Sequence, residues 1–149
     1  MFNTISARSK SGLPPFIRYF AVDGEDPLDR LYKMPDEEFN SLPYGAILLD
    51  TNATIIKYNR TEGEITGRDY KAVLGRQFFT ELAVCGVGPH FHGRFKQACL
   101  SAQYDLVFPY VFHYQMPETS MLVRMAIEPR STGTKKAIWV LVRRMMPDA

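Results

Sequence analysis

The chain has 149 residues, short enough for one domain by default and long enough to bury roughly 68–70% of its unfolded surface without disulfides or metal. Its 46% apolar and 23% charged content is ordinary globular usage, which excludes a disordered tail or a fibrous repeat. A formal charge of +2, from 18 basic and 16 acidic side chains scattered among one another, argues against a nucleic-acid partner, which needs basic residues gathered on one face.

The basic excess belongs to the N-terminus, where Arg8, Lys10 and Arg18 meet no acid before Asp23. Ser9, Ser11, Gly12, Pro14 and Pro15 make that stretch turn-rich, an arm leading to a short apolar run at 16–22 and not an independent fold. Over 26–42, Leu28, Leu31, Met34, Phe39 and Leu42 recur at three- to five-residue intervals. This spacing predicts two short helices broken near Pro35, the second capped by Asp36.

After Pro43 the period changes. Two apolar runs at 45–50 and 54–59 flank a Thr-Asn turn and predict a β-hairpin. A helix is expected over 66–74, with Asp69 in its first turn and Gly75 at its end. A short apolar turn at 78–83 precedes Cys85 and a glycine-bearing stretch. The clearest helix starts near Pro89, with Phe91, Phe95, Ala98 and Cys99 on one face.

The last third reads as β. Over 104–116 the even positions are Tyr104, Leu106, Phe108, Tyr110, Phe112, Tyr114 and Met116, an aromatic wall on one face of a strand. Pro109 removes a ladder donor and marks that strand as an edge or as bulged. Further strands are expected at 121–127 and 137–142. Two strands, several short helices and three strands predict an α+β domain with one antiparallel sheet.

No stretch approaches 18 uninterrupted apolar residues, and no secretion signal opens the chain. A soluble, cytoplasmic protein with no membrane partner is expected. Its two cysteines, Cys85 and Cys99, should then be free thiols.

Two conventional chemistries fail on spacing. Cys85, His90, His92 and Cys99 lie close together, but no paired zinc-ligand spacing accompanies them. Cys85 with His90, His92 or His113 as base lacks any hydrolase signature, and a lone cysteine is more often a small buried hydrophobe. Two features remain. A polar cluster at 58–69 follows an apolar strand, so that Tyr58, Glu62 and Thr66 could converge on one pocket. Cys85 sits between an apolar turn and a glycine-rich stretch. The plain readings are a loop with Thr66 as a helix cap, and a core cysteine.

In this order the residues resemble the photoactive yellow protein family, blue-light receptors of the PAS fold. The resemblance covers about residues 42–145. It runs through Tyr58-Asn59, Glu62-Gly63, Ile65-Thr66-Gly67-Arg68-Asp69, Phe78-Phe79, Ala83, Cys85, Phe91-x-Gly93-x-Phe95-Lys96, Tyr110-x-Phe112-x-Tyr114-Gln115-Met116 and Trp139-Val140. It implies a five-stranded antiparallel sheet with flanking short helices, an N-terminal arm and helical cap at 1–41, and a chromophore-binding core at 42–149.

The resemblance also implies p-coumaric acid bound as a thioester to Cys85. Tyr58 and Glu62 would hydrogen-bond its phenolate, Thr66 would support Tyr58, and Arg68 would cover the ring. Phe78, Tyr110, Phe112 and Met116 would line or tune the pocket. Light would then drive trans-to-cis isomerisation, proton transfer from Glu62 and loosening of the cap. This chain departs from the best-known members at Val84, where they carry proline, in a longer 117–136 connection and in its basic arm.

Physical chemistry agrees with such a site. A buried phenolate costs several kcal/mol unless compensated, and donors from Tyr58 and a neutral Glu62 would each offset roughly 1.5–3 kcal/mol. Glu62 would have to be protonated in the dark, because a second negative charge beside the ring oxygen adds repulsion to the cost of burial. The expectation is therefore a photoreceptor, not an enzyme and without metal, monomeric or weakly dimeric, that signals to a separate downstream protein. The alternative is a PAS module that binds a small ligand non-covalently or serves dimerisation.

Overall fold

A computed structural model of the chain describes residues 16–83, 88–112, 119–131 and 135–144. Five strands form its centre: β1 (Gly45–Asp50), β2 (Ile55–Tyr58), β3 (Asp105–Phe112), β4 (Thr119–Ile127) and β5 (Ala137–Arg144). They make one antiparallel sheet in the order β2-β1-β5-β4-β3.

The expected hairpin is β1 and β2, with a bulge between Leu48 and Leu49. The expected aromatic strand is β3, which ends at Phe112 among the described residues. Among the described strands it pairs only with β4, and Pro109 lies exposed on this edge opposite Leu122, where its missing N–H disrupts no inner ladder.

Side-chain alternation gives the sheet two apolar faces. One carries Ile47, Leu49, Met121, Val123, Met125, Ile138, Val140 and Val142, and is covered by the Phe78–Leu82 turn, the Pro89–Gly93 turn and helix α3 (Arg94–Leu100). The helix expected from Pro89 is thus a wide first turn running into α3. Phe91, Phe95 and Ala98 are buried, and Cys99 is half-buried.

The opposite face carries Ala46, Leu48, Ala126, Trp139 and Leu141, and packs against Phe20, Leu28, Leu31, Met34 and Phe39 of the N-terminal segment. That segment holds tight turns at Ile17–Phe20 and Leu28–Lys33 and a short helix α1 (Asp36–Asn40). The break at Pro35 is present. Asp36, however, is the first helical residue, Pro35 occupies the capping position, and no side chain caps the helix.

The helix expected over 66–74 is a second correction. Helix α2 spans Arg60–Thr66, so Thr66 ends a helix instead of beginning one. Asn59 caps its start by accepting from the Glu62 amide, and Gly67 ends it in the left-handed conformation, φ 75°. Residues 70–75 are turns. The Asp69 side chain accepts from the amides of Lys71 and Ala72, a local turn pattern that imitates a helix start in sequence.

Candidate functional site

β2, α2 and β5 together frame a crevice on the α3 side of the sheet. Ile47, Tyr58, Glu62, Thr66, Arg68, Phe78, Leu82, Ala83, Phe91, Met121, Val142 and Arg144 line it. Tyr58 ends β2, and Glu62 and Thr66 follow at helical spacing on one side of α2. The four-residue interval along α2 turns Glu62 and Thr66 toward the cavity that Tyr58 reaches from the end of β2.

Their hydrogen bonds form a chain. Thr66 Oγ1 donates to the Glu62 carbonyl at 2.8 Å and lies 3.2 Å from Tyr58 Oη. A hydroxyl has one proton, so with Thr66 donating to the carbonyl, Tyr58 is the donor to Thr66. Burial pushes the Tyr58 phenol above its ordinary range, Glu62 reinforces that rise, and Thr66 and Arg68 partly oppose it. Tyr58 is therefore a neutral donor at physiological pH. Arg68 Nη2 donates to the Leu82 carbonyl at 2.8 Å, which fixes the guanidinium in the crevice wall.

Glu62 is buried, and its position depends on Gly45 in β1. A Cβ on Gly45 would lie 2.9 Å from the Glu62 carboxyl carbon, so glycine leaves the notch in which the carboxyl rests. The carboxyl does not meet Tyr58 in a direct hydrogen bond. It is gripped by both terminal nitrogens of Arg144, the second at 3.2 Å. Arg144 is almost as buried as Glu62, and its Nε has no hydrogen-bond partner among the described residues.

Arg144 was not among the candidates drawn from the sequence, although a signal for it exists. Ile138, Val140 and Val142 alternate onto the crevice side of β5, and the next position in that alternation is Arg144. A cation in register with an apolar face needs a buried anion.

Phe78 lines the crevice. Tyr110 stands one ring behind it, with its centroid 5.0 Å from that of Phe91. Phe112 is placed as the last residue of β3, its side chain outside the described residues. Cys85 and Met116 also lie outside them, while Ala83, two positions before Cys85, lines the crevice. The cavity itself is about 30 Å³. That is room for one or two waters, whereas a benzene ring occupies a cavity of roughly 150 Å³.

No protein-family model matches the chain. Individual relatives do. A photoactive yellow protein of Halochromatium salexigens is 37% identical over 123 residues, which is 82% of this chain and 95% of that protein. Photoactive yellow proteins of Rhodothalassium salexigens and Rhodobacter capsulatus are 36% and 35% identical, over 82% and 81% of this chain and 95% and 94% of their own lengths.

Among solved structures, the photoactive yellow protein domain of the sensor histidine kinase Ppr from Rhodospirillum centenum superposes with a TM-score of 0.69 at 38% identity. It covers 78% of this chain and 98% of that domain. A PAS domain of an HTR-like protein from Haloarcula marismortui superposes at 0.56 with 17% identity, covering 74% and 93%, a likeness of fold alone. The five-stranded sheet with its short helices is the PAS fold.

Proposed function

We propose that this chain, which belongs to the photoactive yellow protein family, is a blue-light receptor that carries p-coumaric acid as a thioester on Cys85. Such a group, when bound, absorbs blue light and turns about its vinyl bond. The observation that supports this reading is the meeting of Tyr58, Glu62, Thr66 and Arg68 at one apolar crevice.

The crevice suits the group chemically. Tyr58 and Glu62 would hold the ring oxygen, and Thr66 would turn its proton from the Glu62 carbonyl to Tyr58 so that Tyr58 can donate onward. Ile47, Phe78, Phe91 and Val142 supply apolar walls for a ring. Arg68 would shield it from water, with Tyr110, Phe112 and Met116 lining or tuning the pocket. In size the crevice is too small as it stands, so a side chain must withdraw.

Cys85 would be acylated by an activated coumaroyl donor. Its sulfur bonds to the acyl carbon as the donor's leaving group departs, and the thiol proton goes with that group. In the dark, Glu62 as a neutral acid would donate to the ring oxygen, and after illumination it would pass its proton there. The carboxylate so created, in a site that excludes water, would loosen residues 1–41 from the core at 42–149. The output goes to a separate signalling partner from a cytoplasmic protein that is not an enzyme. Among the described residues no helix is long and apolar enough to cross a membrane.

Expression with activated p-coumaric acid tests the reading. A yellow protein with the corresponding mass gain at Cys85, absent in Cys85→Ala, is expected. A colourless protein without mass gain would remove the photoreceptor reading in favour of a non-covalent PAS sensor.

A further inference from the structure

Glu62 meets a cation in this structure, and that pairing bears on how the site is made ready. We infer that Arg144 holds Glu62 as a carboxylate until the pocket is filled, so that Glu62 is the base that takes the proton of the incoming ring hydroxyl, and that Arg144 leaves the carboxyl when it does. The inference rests on the reading of the crevice as a chromophore pocket.

The two roles of Glu62 exclude each other. An ionised carboxylate is an acceptor only, so it cannot donate a hydrogen bond to a ring oxygen. A protonated carboxyl, for its part, gives a buried guanidinium no charge to balance. Glu62 paired to Arg144 and Glu62 donating to a phenolate are therefore two states of one site.

Geometry says which partner moves. Glu62 sits on α2 in the notch over Gly45, with its own amide bonded to Asn59 Oδ1 at 3.0 Å. Arg144 is the last residue of β5, opposite Met121. Its long side chain is tied at the tip only, because Nε has no hydrogen-bond partner among the described residues. The other long cation at the crevice, Arg68, is held by the Leu82 carbonyl. With a cavity of about 30 Å³, withdrawal of Arg144 is the change that both frees space beside Glu62 and frees its carboxyl.

The protons balance. As the ring's O–H bond breaks, a Glu62 O–H bond forms, and the negative charge passes from the carboxylate to the ring oxygen. The net charge of Glu62 and the ring is unchanged, and Arg144 carries its own charge toward the surface. Tyr58, neutral, remains as the second donor.

Two measurements test this. Infrared spectra of the chromophore-free protein, with Glu62 bands identified by their loss in Glu62→Gln, should show a carboxylate in the native chain and in Arg144→Lys. In Arg144→Met the band should shift or give way to that of a protonated acid. A protonated Glu62 in the native chromophore-free protein overturns the proposal, as does an unmoved carboxylate band in a folded Arg144→Met. The second measurement needs no Arg144 variant. Native and Glu62→Gln proteins are loaded with p-coumaric anhydride in weak buffer containing a pH dye, and ring ionisation is read by absorption. Acylation of Cys85 and release of the leaving acid are common to both, so per ionised ring the native protein should release about one proton fewer. Equal release, with normal colour, overturns the base role of Glu62. Absence of colour and of mass gain at Cys85 instead overturns the chromophore reading on which the inference rests.

Discussion

Arg124 on β4 grips Asp26 of the N-terminal segment through two hydrogen bonds, 2.7 Å from Nη1 and 3.0 Å from Nη2, across 98 residues of sequence. Asp105 takes Nε and Nη2 from the other side, at 2.9 and 2.7 Å, and the guanidinium is fully buried. Burial alone would lower the pKa of Arg124, but the hydrogen bonds and charges of Asp105 and Asp26 outweigh it and leave the group raised. The N-terminal segment is thus held by a charge as well as by its apolar underside.

Removing Asp26 leaves that buried charge with half its partners. Breaking a buried ion pair costs about 3–5 kcal/mol, and with Asp105 still present Asp26→Ala should fall near the lower end. Chemical denaturation checks the magnitude. Hydrogen exchange checks the location: amides of 28–42 should exchange faster while those of β5 change less. Uniform loss of protection would contradict the role given to this pair.

Asn59 connects the same segment to α2. Its Oδ1 accepts from the Ala46 and Glu62 amides, each at 3.0 Å, and its Nδ2 donates to the Phe39 and Tyr44 carbonyls, each at 3.1 Å. Asn59→Ala should cost at least about 2 kcal/mol, since a lost cap and unsatisfied buried groups add together. Thermal unfolding measures it.

Gly45→Ala should displace the Glu62 carboxyl, because the new methyl would occupy its notch. Forcing an extra methyl into a packed site costs about 1–3 kcal/mol. In the coloured protein the same change should alter the absorption maximum. An unshifted spectrum with unchanged stability would mean that the notch yields freely.

Glu62→Gln should move the dark absorption to the red. A neutral acid donating to the ring oxygen stabilises negative charge there in the ground state more than after excitation, and an amide does so less. The variant should also lack any carboxylic acid band that disappears on illumination. An unmoved spectrum, or a surviving band, removes Glu62 from the proton-transfer role.

Alkaline stability should be limited by two tyrosines. Burial raises the phenols of Tyr44 and Tyr58, in Tyr44 with Asp26 adding and Arg124 opposing, while Tyr44 Oη donates to the Phe20 carbonyl at 2.7 Å. A group whose folded pKa is raised contributes its full stability below the unfolded value, and loses it as pH rises through the folded one. Stability should therefore fall above about pH 10, the ordinary tyrosine value. Ultraviolet titration followed beside circular dichroism should show these two phenols ionising only as the fold is lost.

Apolar runs bounded by turn residues made β1, β2, β4 and β5 readable in the sequence, since strands such as β1 and β5 that are buried on both faces are apolar at successive positions, while alternation over 104–116 marked β3. Pro109 limited β3 to an edge or a bulge, and the sheet places β3 at the edge, where a missing N–H is tolerated. The polar cluster of Tyr58, Glu62 and Thr66 was legible as one candidate pocket even though its helix was misplaced: the start of α2 depends on Asn59, whose cap is stabilised by carbonyls of Phe39 and Tyr44 from outside the helix. The partners of Glu62 and Asp26 were not legible. Arg144 lies 82 residues from Glu62 and Arg124 lies 98 from Asp26, and nothing local in a strand says which anion will be folded against its cation. Pairing of buried charges is settled by which elements the sheet brings into contact, a property of the packed chain and not of any window along it.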